Sequence, residues 1–403
     1  MSIYEKKEQC CGCSACANVC PKQCIKMNED EEGFLYPTVD YDQCINCGLC
    51  EKVCSFKKKD EKNSVLEAYG CNALSDDIRK RSSSGGVFSL LAEYIISQGG
   101  VVFGTAMTDD CKSAFLLKIQ TEDEIGRLSG SKYFQSEVGS SFQQAKRELE
   151  QGRIVLFTGT PCQINGLKLF LNKDYENLFC MDIICHGVPS PKLWKKYITD
   201  FEEKHKGKVT GVNFRCKDVS GNDFGMKEFL NQSAIFTPKS EDPFMQMFLK
   251  NYCLRPSCYA CDAKQYKLAD ITIGDFWGVE NVLPDLSDDK GTSLVLIRTE
   301  KGAELFKAIK SSVKYDLCEY EAAVKRNSAE YKSVAKPPQR EGFFADMNNM
   351  SLKKLKRKYL ESPLKKKTKK ALAKILRGED FCHTLKNSDY GLLVQYHSEG
   401  NRK

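Results

Sequence analysis

Eight cysteines between positions 10 and 54 fall into two runs of one spacing: Cys10, Cys13, Cys16 and Cys20, then Cys44, Cys47, Cys50 and Cys54. Each run reads Cys-x2-Cys-x2-Cys-x3-Cys. In such a run three thiolates in a tight loop grip one cubane while the fourth reaches the neighbouring one. The spacing therefore predicts two 4Fe-4S clusters, one on Cys10, Cys13, Cys16 and Cys54, the other on Cys44, Cys47, Cys50 and Cys20. A zinc module pairs two ligands with two others across a gap and has no use for two such runs. Pro21 follows the first run and Ser55 the second, so the second lacks the turn-forming proline. Cys11 and Cys24 lie outside the pattern and read as buried thiols.

Four further cysteines have the character of ligands: Cys162 in a Gly-Thr-Pro-Cys turn, Cys185 before His186-Gly187, and the pair Cys258 and Cys261. Residues from distant parts of a chain converge at strand ends along one edge of an α/β sheet. Four thiolates there would hold zinc or a third 4Fe-4S cluster, and a chain that already carries clusters favours iron. Cys180 sits mid-strand, on the face opposite Cys185, and reads as core. Two small-residue loops complete the set. Ser83-Ser84-Gly85-Gly86 meets a helix start, where free N–H groups favour an anion, although serine is also an ordinary helix cap. Gly130-Ser131-Lys132-Tyr133 has the same character with one cation.

The elements that must position these groups begin with a ferredoxin-like module over 1–57. Within it Asn28 to Glu32 reads as an acidic turn and Gly33 to Pro37 as a strand or hairpin. Lys57 to Lys62 reads as a linker. From 65 to 345 the pattern alternates strand and helix: strands at 65–72, 100–105, 153–157, 178–184 and 293–298, helices at 87–97, 138–151, 190–204 and 302–310. Short runs with Gly and Asn breaks over 209–236 predict antiparallel strands. The fold class is α/β (an α+β mixed sheet) behind a dicluster ferredoxin domain, with a basic helical tail over 346–403.

The 403 residues carry a net charge of +7, but Ser351 to Gly378 holds twelve Lys or Arg against one Glu. The body is thus mildly acidic and the tail basic. That tail suits an acidic partner or an anionic membrane surface, or a solvated helix pair docked on its own body; with one aromatic in the run, nucleic acid is not a partner. The N-terminus has no apolar signal region, no apolar run reaches the roughly 18 residues of a bilayer span, and iron-binding thiolates need a reducing compartment. A cytoplasmic protein is expected.

The ordered series Ser83-Ser84-Gly85-Gly86, Gly130-Ser131-Lys132-Tyr133, Gly159-Thr160-Pro161-Cys162-Gln163, Cys185-His186-Gly187, Leu254 to Cys261 and Asp270 to Gly278 resembles the coenzyme F420 hydrogenase/dehydrogenase beta-subunit family, whose relatives include the plant 7-hydroxymethyl chlorophyll a reductase. The resemblance runs from about Glu8 to about Ser312. It implies FAD held by Ser83, Ser84, Gly85, Gly86, Gly130, Ser131, Lys132, Gly159 and Thr160, beside a third 4Fe-4S cluster on Cys162, Cys185, Cys258 and Cys261. A flavin converts between single electrons and a hydride equivalent. The expected activity is an oxidoreductase that passes electrons from a ferredoxin or other low-potential donor through clusters to FAD and on to a small organic acceptor. The alternative is a non-catalytic electron-transfer subunit of a larger complex. Lys132, Lys217 and Lys264 are the candidate catalytic cations beside the flavin.

Overall fold

The computed structural model describes residues 3–57, 64–218, 224–231 and 233–361. Most of the expected linker and, from residue 362, the basic tail lie outside the described residues. The first cysteine loop turns into helix α1 (Ala15–Val19), and a hairpin of β1 (Ile25–Glu29) and β2 (Leu35–Val39) follows, pairing Asn28 with Tyr36. The second loop enters α2 (Leu49–Lys52). Asp30 closes the hairpin turn, its Oδ1 accepting from the N–H groups of Glu32 and Phe34 at 3.0 and 2.9 Å.

The body opens with β3 (Glu67–Ala73), α3 (Asp76–Arg81) and α4 (Val87–Ser97). There follow β4 (Val101–Met107), β5 (Ala114–Ile119), α5 (Ile125–Leu128), α6 (Ser141–Glu150), β6 (Val155–Gly159), α7 (Pro161–Leu171), β7 (Leu178–Ile183) and α8 (Pro191–His205). β8 (Val209–Cys216), β9 (Gly225–Leu230) and β10 (Ser233–Pro238) make a separate antiparallel sheet, as the broken pattern there predicts. α9 (Pro243–Leu249), β11 (Ile271–Asp275), β12 (Ser293–Ile297), α10 (Glu300–Ile309) and β13 (Val313–Cys318) complete the main sheet, and α11 (Tyr320–Val324) and α12 (Arg340–Asn349) follow.

The main sheet has eight strands in the order β13-β3-β12-β11-β7-β6-β4-β5. β4, β6, β7 and β11 pair in parallel, and antiparallel neighbours flank them, so the sheet is mixed. Alternate residues face opposite layers. Val102, Leu156 and Met181 pack with α4 and α10, whereas Phe103, Phe157 and Cys180 pack with α6 and α7. Ala15 and Val53 of the cysteine module belong to that second core. The two domains expected at 1–57 and 65–345 therefore fall within one compact unit, Met1–Leu352. Among the described residues no helix is long and apolar enough to cross a membrane.

Candidate functional site

The parallel strands end together, and the small-residue loops leave from that edge. Helix α7 starts where β6 stops. Thr160 and Gln163 cap it reciprocally, with Pro161 in the first turn, where its missing N–H costs no hydrogen bond. This fixes Cys162, whose Sγ lies 3.2 Å from Thr160 Oγ1. Cys185 follows the end of β7, and Cys258 rides a 3-10 turn, Pro256–Ala260, where the Val188 N–H points at its Sγ from 3.4 Å.

Cys162, Cys185, Cys258 and Cys261 line one cavity with His186 and Lys264. Burial pushes the Cys258 thiol up to about 12 and the Cys261 thiol up to about 11. Among the described residues no three Cys, His, Asp or Glu side chains gather closely enough for a single bare metal ion. These four ring a space instead. Cys10, Cys13, Cys16 and Cys54 line a second cavity, and Cys20, Cys44, Cys47 and Cys50 a third. The sequence thus assigns twelve cysteines to three groups, and the chain brings each group to its own cavity wall.

Two thiols that the spacing left out also face these cavities. Cys24 is buried, with its Sγ 3.4 Å from that of Cys20, on the wall of the third cavity. Cys11, together with Ser55 and Phe56, lines both the first and the second cavity. Its thiol is drawn well down by hydrogen bonds with Cys13 and Cys162. Cys24 is buried as expected, whereas Cys11 is only partly buried and stands between two cavities. The doubled Cys10-Cys11 was the available signal.

The two serine and glycine loops meet. Ser131 N and Oγ both donate to Ser83 Oγ, at 2.8 and 3.0 Å. A Cβ on Gly85 would lie 2.1 Å from the Cys71 carbonyl oxygen, so only glycine lets this loop lie on the sheet edge. Gly86 starts α4 with φ +95° and without a side-chain cap, leaving first-turn N–H groups to another acceptor. Gly159 and Thr160 stand one step along the edge. Gln163 accepts from the Thr160 N–H and donates from Nε2 to Ser136 Oγ at 3.0 Å, a little beyond the second loop.

Each candidate lysine donates to backbone carbonyls. Lys132 Nζ reaches those of Arg127, Leu128 and Ser129 at 2.8 to 3.2 Å, and burial lowers its pKa to about 7. Lys217 Nζ reaches Arg79, Ser84 and Lys290 at 2.7 to 3.1 Å, and burial first, then Arg79 and Arg215, lowers it to about 8. Lys264 Nζ bonds the carbonyls of Cys185 and Ala329, beside the thiol cavity rather than the serine loops. Arg215, absent from the sequence reading, pairs with Asp275 at 2.5 Å and stacks on Phe224 and Trp277 at 4.4 and 4.6 Å.

Residues 68–143 match the family model for the N-terminal part of the coenzyme F420 hydrogenase/dehydrogenase beta subunit, residues 152–323 that for its C terminus, and residues 9–58 a 4Fe-4S dicluster domain. A coenzyme F420-dependent sulfite reductase of Methanocaldococcus jannaschii is 24% identical over 323 residues, covering 74% of this chain. The chain spans about half, 46%, of that protein's length. An uncharacterized protein of the same organism is 23% identical over 346 residues, with 74% and 86% of the two chains covered. A chain of the F420-reducing NiFe hydrogenase complex from Methanosarcina barkeri aligns at TM-score 0.45 and 17% identity, over 74% of this chain and 93% of that one. With both halves of its body matched in order, the chain belongs to the coenzyme F420 hydrogenase/dehydrogenase beta-subunit family, and a 4Fe-4S dicluster domain precedes that body.

Proposed function

We propose that this chain is an iron-sulfur flavoprotein oxidoreductase that takes single electrons from a ferredoxin-like donor and delivers them in pairs to a small organic acceptor. The carrying observation is the row of three cysteine-walled cavities, successive ones sharing Ile3 and then Cys11, Ser55 and Phe56. When bound, 4Fe-4S clusters supply one-electron transfer and FAD exchanges one electron for two.

In this reading Cys10, Cys13, Cys16 and Cys54 hold one cluster, Cys44, Cys47, Cys50 and Cys20 a second, and Cys162, Cys185, Cys258 and Cys261 a third. The donor chemistry fits. Burial raises the thiols of Cys185, Cys258 and Cys261, so the bare set keeps its protons and a bound cation is what releases them. Ser83, Ser84, Gly85, Gly86, Gly130, Ser131 and Lys132, with Gly159 and Thr160, form the flavin's cradle. Gly130 suits it, having φ +77° and nothing within 4 Å of where a Cβ would stand. Lys132 and Lys217 hold the cradle's loops through carbonyls and keep two amines at the anion's side.

Anaerobically purified protein is expected to hold about 12 iron atoms per chain, three cubanes by the ligand count, and stoichiometric FAD. About 8 iron with one zinc would overturn the third cluster. A second reading, an electron-transfer subunit, is favoured by the family's own description as a beta subunit of a hydrogenase or dehydrogenase. Turnover of a soluble acceptor by the isolated chain with a one-electron reductant supports the enzyme; reduction of the chain without turnover supports the subunit.

A further inference from the structure

We propose that Arg255 is the fixed counter-charge of the cluster assigned to Cys10, Cys13, Cys16 and Cys54, and that it raises that cluster's reduction potential. The proposal rests on the ligand assignment made above. Arg255 is fully buried, three residues before Cys258, and its guanidinium reaches into the cysteine module. Nε donates to the Cys10 carbonyl at 2.8 Å, and Nη2 to the Leu35 carbonyl at 3.0 Å. Nη2 also points at the Cys10 Sγ from 3.6 Å, and Nη1 donates to Gln135 Oε1 at 2.9 Å. The Tyr36 ring lies 4.1 Å from the guanidinium carbon.

What this setting lacks is an acid. Among the described residues no carboxylate forms an ion pair with Arg255, whereas Arg79, Arg215, Arg298 and Arg340 all have one. A guanidinium does not lose its proton in proteins, and burying one without an opposing charge is strongly unfavourable. Among the described residues the acidic groups around it are thiols and one phenol: Cys10, which Nη2 approaches directly, then Tyr36, Cys11 and Cys258, and the negative charge the thiols carry when they hold a cluster is what Arg255 opposes. The backbone is shaped for this approach. Gly12 adopts φ +71°, and a Cβ there would stand 2.9 Å from Arg255 Nη1 and 2.6 Å from Gln135 Nε2.

Reduction adds one electron from an outside donor, makes and breaks no bond, and moves no proton at Arg255. A fixed cation in a low-dielectric interior favours the more negative member of such a pair, and hydrogen bonds to cluster sulfurs act in the same direction. Arg255 is thus a positioning residue for charge, not a group that touches substrate.

The test is an anaerobic redox titration of the full-length chain with dithionite, followed by electron paramagnetic resonance and accompanied by iron analysis. Arg255→Gln removes the charge. Gln135→Glu leaves the arginine and its carbonyl bonds in place and sets a carboxylate against Nη1, so it decides the matter even where Arg255→Gln does not fold. Both are expected to keep their iron and to disfavour reduction of one cluster at least tenfold, about 59 mV for one electron, while the cluster on Cys20, Cys44, Cys47 and Cys50 stays at its wild-type potential. Full iron with every potential unmoved in Gln135→Glu would overturn the role of Arg255. Wild-type protein without two N-terminal cluster signals would instead overturn the ligand assignment beneath it.

Discussion

Cys258 is tied by the Val188 N–H to the end of the β7 connection, far in sequence from the N-terminal runs, so Cys258→Ser is expected to cost one cluster of three. Iron should fall from about 12 to about 8 per chain by the cubane count, with the N-terminal signals intact; loss of all iron from folded protein would refute the separate third site. Lys217 gives a pH dependence. Its folded pKa, about 8, lies below the ordinary value of about 10.4. Between these values the unfolded chain binds the extra proton, so this group's contribution to stability rises as pH rises through that window. The stability of wild type relative to Lys217→Met should therefore grow between pH 8 and pH 10, read as the difference of two melting curves; a constant difference would show that the ammonium keeps its ordinary pKa. The two N-terminal cysteine runs were legible because each lies within one short stretch. Cys11 was not, since its neighbour Cys162 is 151 positions away in sequence and only the packing of α7 brings them together.

Among the elements, α7 does the most positioning. Its first turn holds Cys162, and one turn later Gly166 is buried against the cysteine module. A Cβ at Gly166 would stand 3.0 Å from both Cβ and Sγ of Cys13. In an ordinary helix interior Gly→Ala stabilises by about 1 kcal/mol. Gly166→Ala is expected to do the opposite, lowering the melting temperature and the iron content, because the added methyl meets a ligand held in its own loop. A higher melting temperature with full iron would show that the module gives way without loss. Helical spacing made α4 legible residue for residue, from Val87 to Ser97, because its buried face is continuous. β13 was missed. It is an edge strand with lysine and aspartate along it and mostly exposed residues, so its sequence carries no buried face to read. Its existence follows from pairing with β3.

At the scale of the whole molecule, the cysteine module and the body lie within one compact unit. The charged residues at 57–62 read as a linker behind a separate module. Instead Ala15 and Val53 sit in the body's core, Ser190 Oγ donates to the Glu32 carbonyl at 2.5 Å, and Arg340 forks onto the Glu32 carboxylate at 2.8 and 2.5 Å. Arg340 Nη2 also donates to the Leu254 carbonyl at 2.8 Å, immediately before Arg255, so α12, the hairpin turn and the Arg255 loop are held by one side chain. Removing residues before 62 would uncover that surface and take the Cys10 and Leu35 carbonyls from Arg255, leaving Gln135, which makes truncation a poor probe of the electron path. Arg340→Ala is the better one. Leaving the half-buried Glu32 without its fork should cost about 1.5–3 kcal/mol, the contribution of hydrogen bonds to a charged group. If the module and body are one cooperative unit, loss of cluster absorbance and loss of helical circular dichroism should coincide along a denaturant series, in wild type and, at lower denaturant, in Arg340→Ala. Cluster loss that precedes helix loss in wild type would mean that the cysteine module unfolds by itself, and the contacts around Glu32 would then be a docking surface between two folding units.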